Sequence, residues 1–158
     1  YDFTLGESWT DLGDFARELH ANGQRWVPIL DPGIAIPPQS SSLSSSSSYA
    51  PYEEGLADGI FLKDLTGEAL VVGSVWPGPV HFPDWLHPNT TDWWTRQVKH
   101  LHGGGGDDDE DEDEKGGGSS LRAPFDGLWI DMNEASNFVT GQVCAVAALG
   151  SGFTAAAC

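Results

Sequence analysis

Residues 125–138 read FDGLWIDMNEASNF. Within them, residues 127–131 (GLWID) form a short apolar run that is entered from Pro124, Phe125 and Asp126 and closed by a carboxylate, the pattern of a strand. Alternation along a strand sets Trp129 and Asp131 on one face and Ile130 on the other. Working outward, residues 25–30 (RWVPIL) repeat the pattern and end at Asp31-Pro32-Gly33. Residues 89–102 predict a helix whose apolar positions are Trp93, Trp94, Val98 and Leu101. Residues 11–22 predict another, with Leu12, Phe15, Ala16 and Leu19 on one face, Thr10 or Asp11 as cap and Asn22-Gly23 as stop. Residues 60–63 and 69–72 flank Thr66-Gly67 as a small hairpin, and Tyr1 to Phe3 read as the tail of an earlier strand. Helix, strand, hairpin loop, helix, strand is the order of an α/β chain with parallel strands covered by helices.

Composition narrows the function classes. The 158 residues suffice for one ordinary domain but fall short of the ~250 typical of a (β/α)₈ barrel. The net charge of −17 repels phosphate backbones, which argues against nucleic-acid binding. Eight of the 24 acids lie in residues 107–114; the remaining 16 face seven basic residues. No run approaches the ~18 apolar residues of a membrane span, and no leader is visible. Residues 38–48 are Ser-rich and residues 103–120 join Gly runs to the acidic block; neither can bury enough apolar surface to offset its ordering entropy, so both read as disordered inserts. The acidic block lacks the spacing of a calcium loop and reads as a solvated insertion, with an acidic interaction module as the alternative. The five histidines (His20, His81, His87, His100, His102) show no metal-ligand spacing. Asn89-Thr90-Thr91 is an N-glycosylation acceptor triplet.

In parallel α/β architectures ligands bind at the carboxyl ends of strands. Asp31 and Asp131 each end a strand, so both are candidates, although an aspartate there also serves as a turn cap. An indole beside a carboxylate suits a sugar: the ring face stacks on C–H groups while the carboxylate engages hydroxyls or the anomeric carbon. Glu134 adds a second titratable group one turn on. For Asp131 the spacing alone leaves catalysis and a structural cap equally open.

The stretch 125–138 resembles the nucleophile motif of glycoside hydrolase family 31, the α-glucosidase family, in the branch of acid α-glucosidases, maltase-glucoamylase and plant and fungal α-glucosidases. Three further stretches agree in order: Asp2-Phe3-Thr4 with the helix ending at His20-Ala21-Asn22-Gly23; residues 25–32 (RWVPILDP); and Val75-Trp76-Pro77-Gly78 with Phe82-Pro83-Asp84, a tryptophan loop. The resemblance implies part of a (β/α)₈ barrel, with roughly three strands and two helices over residues 1–138, and an unassigned tail at 139–158. It implies a retaining α-glycosidase with Asp131 as nucleophile and Glu134 in a supporting role. Ile29, Asp31, Trp76, Trp129 and Met132 would line the sugar pocket, and the acid/base would lie beyond Cys158. The implied partner is an oligosaccharide or α-glucoside; no metal, nucleotide or organic cofactor is implied, since two carboxylates suffice. A lysosomal, vacuolar or extracellular location follows from the resemblance alone. Ala135 stands where the branch often has Pro, and Val139 where some relatives carry Cys. Cys144 and Cys158 are left either to pair or to remain thiols. Two alternatives stand beside the α-glucosidase: an α-xylosidase or α-glucan lyase of the same family, and a non-catalytic truncated or carbohydrate-binding remnant.

Overall fold

The computed structural model describes residues 1–38, 49–103 and 123–139. Apart from Pro38, Gly103 and Val139, the two low-complexity stretches and the tail lie outside the described residues, as do Cys144 and Cys158. In chain order the elements are a single 3₁₀ turn (Glu7–Trp9), α1 (Leu12–Ala21), β1 (Ile29–Leu30), β2 (Ile34–Ala35), α2 (Ala50–Asp58), β3 (Gly73–Val75), β4 (Gly78–His81), α3 (Thr90–His102) and β5 (Trp129–Ile130). They fall into two compact units.

One unit, Phe3–Leu30 with Trp94–Asp131, holds the parallel pair. β1 and β5 run parallel, with Ile29 opposite Trp129 and Leu30 opposite Ile130. The strand expected over residues 25–30 is therefore regular for two residues only. Pro28 has no N–H to donate, so the run before β1 takes part through its carbonyls: Asp126 N donates to Trp26 O at 3.0 Å and Trp129 N to Pro28 O at 2.9 Å. The Asp126 carboxylate fixes this alignment. It accepts from Arg25 Nη1 at 2.6 Å, His20 Nε2 at 2.8 Å and Trp26 N at 3.1 Å. Partial desolvation works to raise the Asp126 carboxyl, but the Arg25, Trp26 and His20 bonds outweigh it and hold it at about 2. Trp26 Nε1 adds a bond to Pro124 O at 2.6 Å. α1 buries Gly13 and Ala16, whereas Phe15, assigned by periodicity to the same apolar face, is 53% exposed. Asp11 precedes α1 without a side-chain cap, its carbonyl taking the Phe15 N–H. Tyr1 to Phe3 form a turn rather than a strand tail: Phe3 has φ 61°, and its ring meets Trp94 edge-on with centroids 5.1 Å apart.

The other unit, Tyr1–Asp2, Asp31–Trp93 and the described residues from Met132 on, contains an antiparallel sheet of order β2-β4-β3. Ile34 faces His81, Ala35 faces Val80, and Val75 faces Gly78. The expected hairpin at 60–72 is present as a single Lys63–Leu70 bridge with flanking bonds, Val71 N to Leu62 O and Asp64 N to Ala69 O, both 2.8 Å. Its turn is organised by Asp64, whose Oδ1 takes Thr66 N at 3.1 Å and Thr66 Oγ1 at 2.7 Å. α2 has Pro51 in its first turn, where a missing N–H costs nothing. It ends at Gly59, which adopts φ 70° and lets Ile60 N return to Gly55 O at 3.1 Å. The core holds Ile34, Ile60, Val80 and Trp93, all at or below 1% exposure, with Phe61 and Phe82 beside them. Each such side chain contributes about 1.5–3 kcal/mol by leaving water. Trp93, at the boundary of this unit, donates Nε1 to Pro51 O at 3.1 Å and meets Phe61 edge-on, the core packing that its place on a helix suggested. No helix among the described residues is long and apolar enough to cross a membrane.

Candidate active site

The chain leaves β1 at Asp31 and β5 at Asp131, so each expected carboxylate follows the carboxyl end of a strand of the parallel pair. Ile29 and Trp129 are register partners on that pair, and both are exposed, Trp129 to 58%. Asp131 is exposed as well.

Asp31 and Trp76 come together in the unit of the antiparallel sheet, where Tyr1, Asp2, Asp31, Gly33, Val75, Trp76 and Pro77 line a cleft of about 330 Å³. Trp76 lies in a tight turn rather than a long loop, because β3 and β4 are joined by Trp76-Pro77 alone. The turn lifts the indole off the sheet, leaving it 75% exposed, while Phe138 supports it edge-on at 4.7 Å and 82°. An aromatic face open to solvent beside a carboxylate can stack on a sugar ring while the acid engages hydroxyls.

Asp2 is the cleft residue that pattern reading did not single out. Burial pushes its carboxyl up to about 6; the amino terminus of Tyr1 acts against this, and the charge of Asp31 adds to the rise. A carboxyl lifted toward neutrality by burial inside a cleft is a frequent property of functional sites. Tyr49 donates its hydroxyl to Asp2 O at 3.1 Å, and burial together with the Asp2 charge pushes that phenol upward. The available signal was an acid set between Tyr1 and Phe3; the rest depends on Tyr49, which arrives from far along the chain.

The motif beyond Asp131 is stitched to the same sheet. Met132 takes φ 58°, and its side chain packs with Ala135 against Val75, Val80 and Phe82. Ser136 N closes a turn on Met132 O at 3.0 Å. Asn137 Oδ1 accepts from Ser74 N at 2.9 Å, and Phe138 N donates to Ser74 O at 3.1 Å. Trp85 donates Nε1 to Asn133 O at 3.0 Å. Asn133 and Phe138 therefore hold the segment in place, while Glu134 is exposed. Among the described residues no three His, Cys, Asp or Glu side chains gather as a metal site.

A parallel strand pair, helices alternating with strands, and aspartates following the strand ends define part of an α/β barrel of the kind that carries hydrolytic sites on its rim. The chain belongs to glycosyl hydrolases family 31: residues 1–151 match the TIM-barrel domain of that family. It is 42% identical to the lysosomal alpha-glucosidase of Mus musculus over 142 residues, which is 89% of this chain and 12% of that protein. It is 35% identical to the intestinal sucrase-isomaltase of Oryctolagus cuniculus over 142 residues, 89% of this chain and 7% of the relative. Among solved structures, the DNJ-bound glucosidase II alpha subunit shares the fold with a TM-score of 0.61 at 22% identity, covering 87% of this chain and 12% of that one. The chain thus spans about an eighth or less of the length of these relatives.

Proposed function

We propose that this chain forms part of the catalytic barrel of a retaining α-glucosidase that releases terminal α-linked glucose, with Asp131 as the nucleophile. The observation that carries this reading is the place of Asp131: an exposed carboxylate leaving a parallel strand, inside the stretch that resembles the family's nucleophile motif. Names of relatives support the substrate class, the first two being an alpha-glucosidase and a sucrase-isomaltase. In the proposed reaction Asp131 attacks the anomeric carbon as the glycosidic C–O bond breaks, giving a covalent glycosyl-enzyme. A second carboxylic acid about 5–5.5 Å away first protonates the leaving oxygen and then takes a proton from the water that releases glucose. That acid is assigned by resemblance to a segment outside these 158 residues, so the chain by itself is expected to turn over no glucoside.

Asp31 and Trp76 would grip the sugar from the cleft, the carboxylate through hydroxyls and the indole through its face. By the same resemblance Ile29, Trp129 and Met132 would also contact the sugar, and Glu134 would take a supporting role. The test is covalent. A protein carrying this chain within a complete family 31 barrel is inactivated with a fluoro-glucoside, digested and sequenced by mass spectrometry. Label is expected on the peptide that contains Asp131; label on any other carboxylate defeats the assignment.

A further inference from the structure

We propose that Asn89 is the acceptor of an N-linked oligosaccharide on the folded surface. Asn89-Thr90-Thr91 is the one acceptor triplet in the chain, and no Pro occupies its middle position. The structure divides the three residues by task. Thr90 is 1% exposed and donates Oγ1 to Asp84 O at 2.6 Å, so the middle residue anchors the start of α3. Asn89 and Thr91, the two residues that the transfer reaction reads, both face solvent. Pro88 before them and Asp92 after them are exposed too, so a bulky, solvated substituent meets open space.

A competing role for Asn89 is purely structural, since asparagine is a favoured helix cap. Here its carbonyl starts the helix by accepting from Trp93 N at 3.0 Å, whereas its side-chain Nδ2 donates to Asp58 O at 3.0 Å, at the end of α2. That latch is compatible with modification. The primary amide has two N–H bonds, and glycosylation consumes one. The Asn89 nitrogen forms a bond to C1 of an oligosaccharide carried on a polyprenyl pyrophosphate. The C1–O bond breaks, the pyrophosphate leaves with the electron pair, and the amide loses one proton. The resulting secondary amide retains an N–H for Asp58. The glycan would also emerge three residues from Leu86, which is 94% exposed, and four from Trp85, offering a hydrated cover for apolar surface close by in sequence.

The full 158-residue chain, preceded by a cleavable secretion leader, is translated with microsomes beside a known glycoprotein. The parent should show one mobility step that peptide N-glycosidase removes. Thr91→Ala, which leaves the Asn89–Asp58 latch in place, should lose the step, and Thr91→Ser should retain it. Enzymatic removal leaves aspartate at the attachment point, and mass spectrometry should find it at position 89. Absence of the step in the parent while the control is modified overturns the proposal. Persistence of the step in Thr91→Ala, or conversion at any position other than 89, overturns it as well. Release of the glycan from the undenatured chain is the outcome expected of an exposed Asn89; release only after denaturation contradicts the surface placement.

Discussion

Replacing Gly55 with alanine sets two effects of known size against each other. Gly55 lies inside α2, where alanine is favoured over glycine by about 1 kcal/mol because the unfolded glycine backbone has more freedom to lose. A Cβ at this position would sit 2.5 Å from Phe61 Cζ and 2.8 Å from its Cε2. Carbon atoms rest at about 3.5–4.0 Å, so the ring would have to retreat by roughly 1 Å. Phe61 is 2% exposed, and its ring is flanked by His81 at 5.4 Å, Tyr52 at 6.0 Å and Trp93 at 6.4 Å between centroids. A ring enclosed on three sides pays toward the upper end of the ~1–3 kcal/mol that overpacking costs. The clash therefore wins, and Gly55→Ala is expected to destabilise the chain by about 1–2 kcal/mol. Urea unfolding followed by tryptophan fluorescence reads this as a lower midpoint at unchanged slope. Phe61→Leu in the same background should recover part of the loss, since the two positions touch and their effects need not add. An equal or higher midpoint for Gly55→Ala alone would refute the steric argument and show that helix preference governs the site.

The remaining expectations concern charge and the proposed site. Burial pushes the His81 ring below its ordinary 6.5, and the bond from Nδ1 to Val71 O at 2.7 Å offsets this in part. The unfolded chain thus takes up the proton first: His81 contributes its stability in full above pH 6.5 and loses it as pH falls through the lowered folded value. Urea midpoints should decline from pH 7.5 to pH 5 in the parent and decline less in His81→Gln. Asp126, held at about 2 against an ordinary 3.8, stabilises the fold above pH 3.8 and loses that contribution as pH falls toward 2. Asp126→Asn should be less stable near pH 6, and its stability should change less over that acid range; equal acid profiles for variant and parent would discount the Arg25–Asp126–His20 cluster. Asp131→Asn should change the unfolding free energy by no more than about 0.5 kcal/mol because the side chain is exposed. In a complete barrel the same change should abolish fluoro-glucoside labelling. Trp76→Ala should likewise spare stability within about 0.5 kcal/mol while weakening sugar binding, measured by tryptophan fluorescence titration in the complete barrel.

What could be read from residues alone followed the range of the forces involved. α1 and α3 were legible because their apolar periodicity and stop signals are local, and each helix begins or ends within a residue of its expected bounds. β5 was legible from the run that ends in Asp131, although regular pairing is confined to Trp129 and Ile130. α2 was hidden because Pro51 and Gly55 read as loop residues; Pro51 occupies the tolerant first turn, and Gly55 is required by the Phe61 ring. The antiparallel sheet was hidden because Gly73, Gly78 and Pro79 suggest a loop, whereas the pairing of Ile34 with His81 joins residues far apart in sequence. Asp31 and Trp76 could be named through resemblance, and their shared cleft needed the tight turn between β3 and β4 to be seen. Asp2 acquires its raised pKa from burial among residues that no local pattern connects to it.

Met132 carries a constraint that reaches into how this position can vary over evolution. A left-handed backbone at φ 58° disfavours every side chain, β-branched ones most of all, and would ordinarily be given to glycine. Yet the thioether fills space against Val75, Val80 and Phe82, which glycine would leave vacant. The two demands exclude opposite ends of the alphabet. The substitutions best able to survive here are long, unbranched at Cβ and apolar.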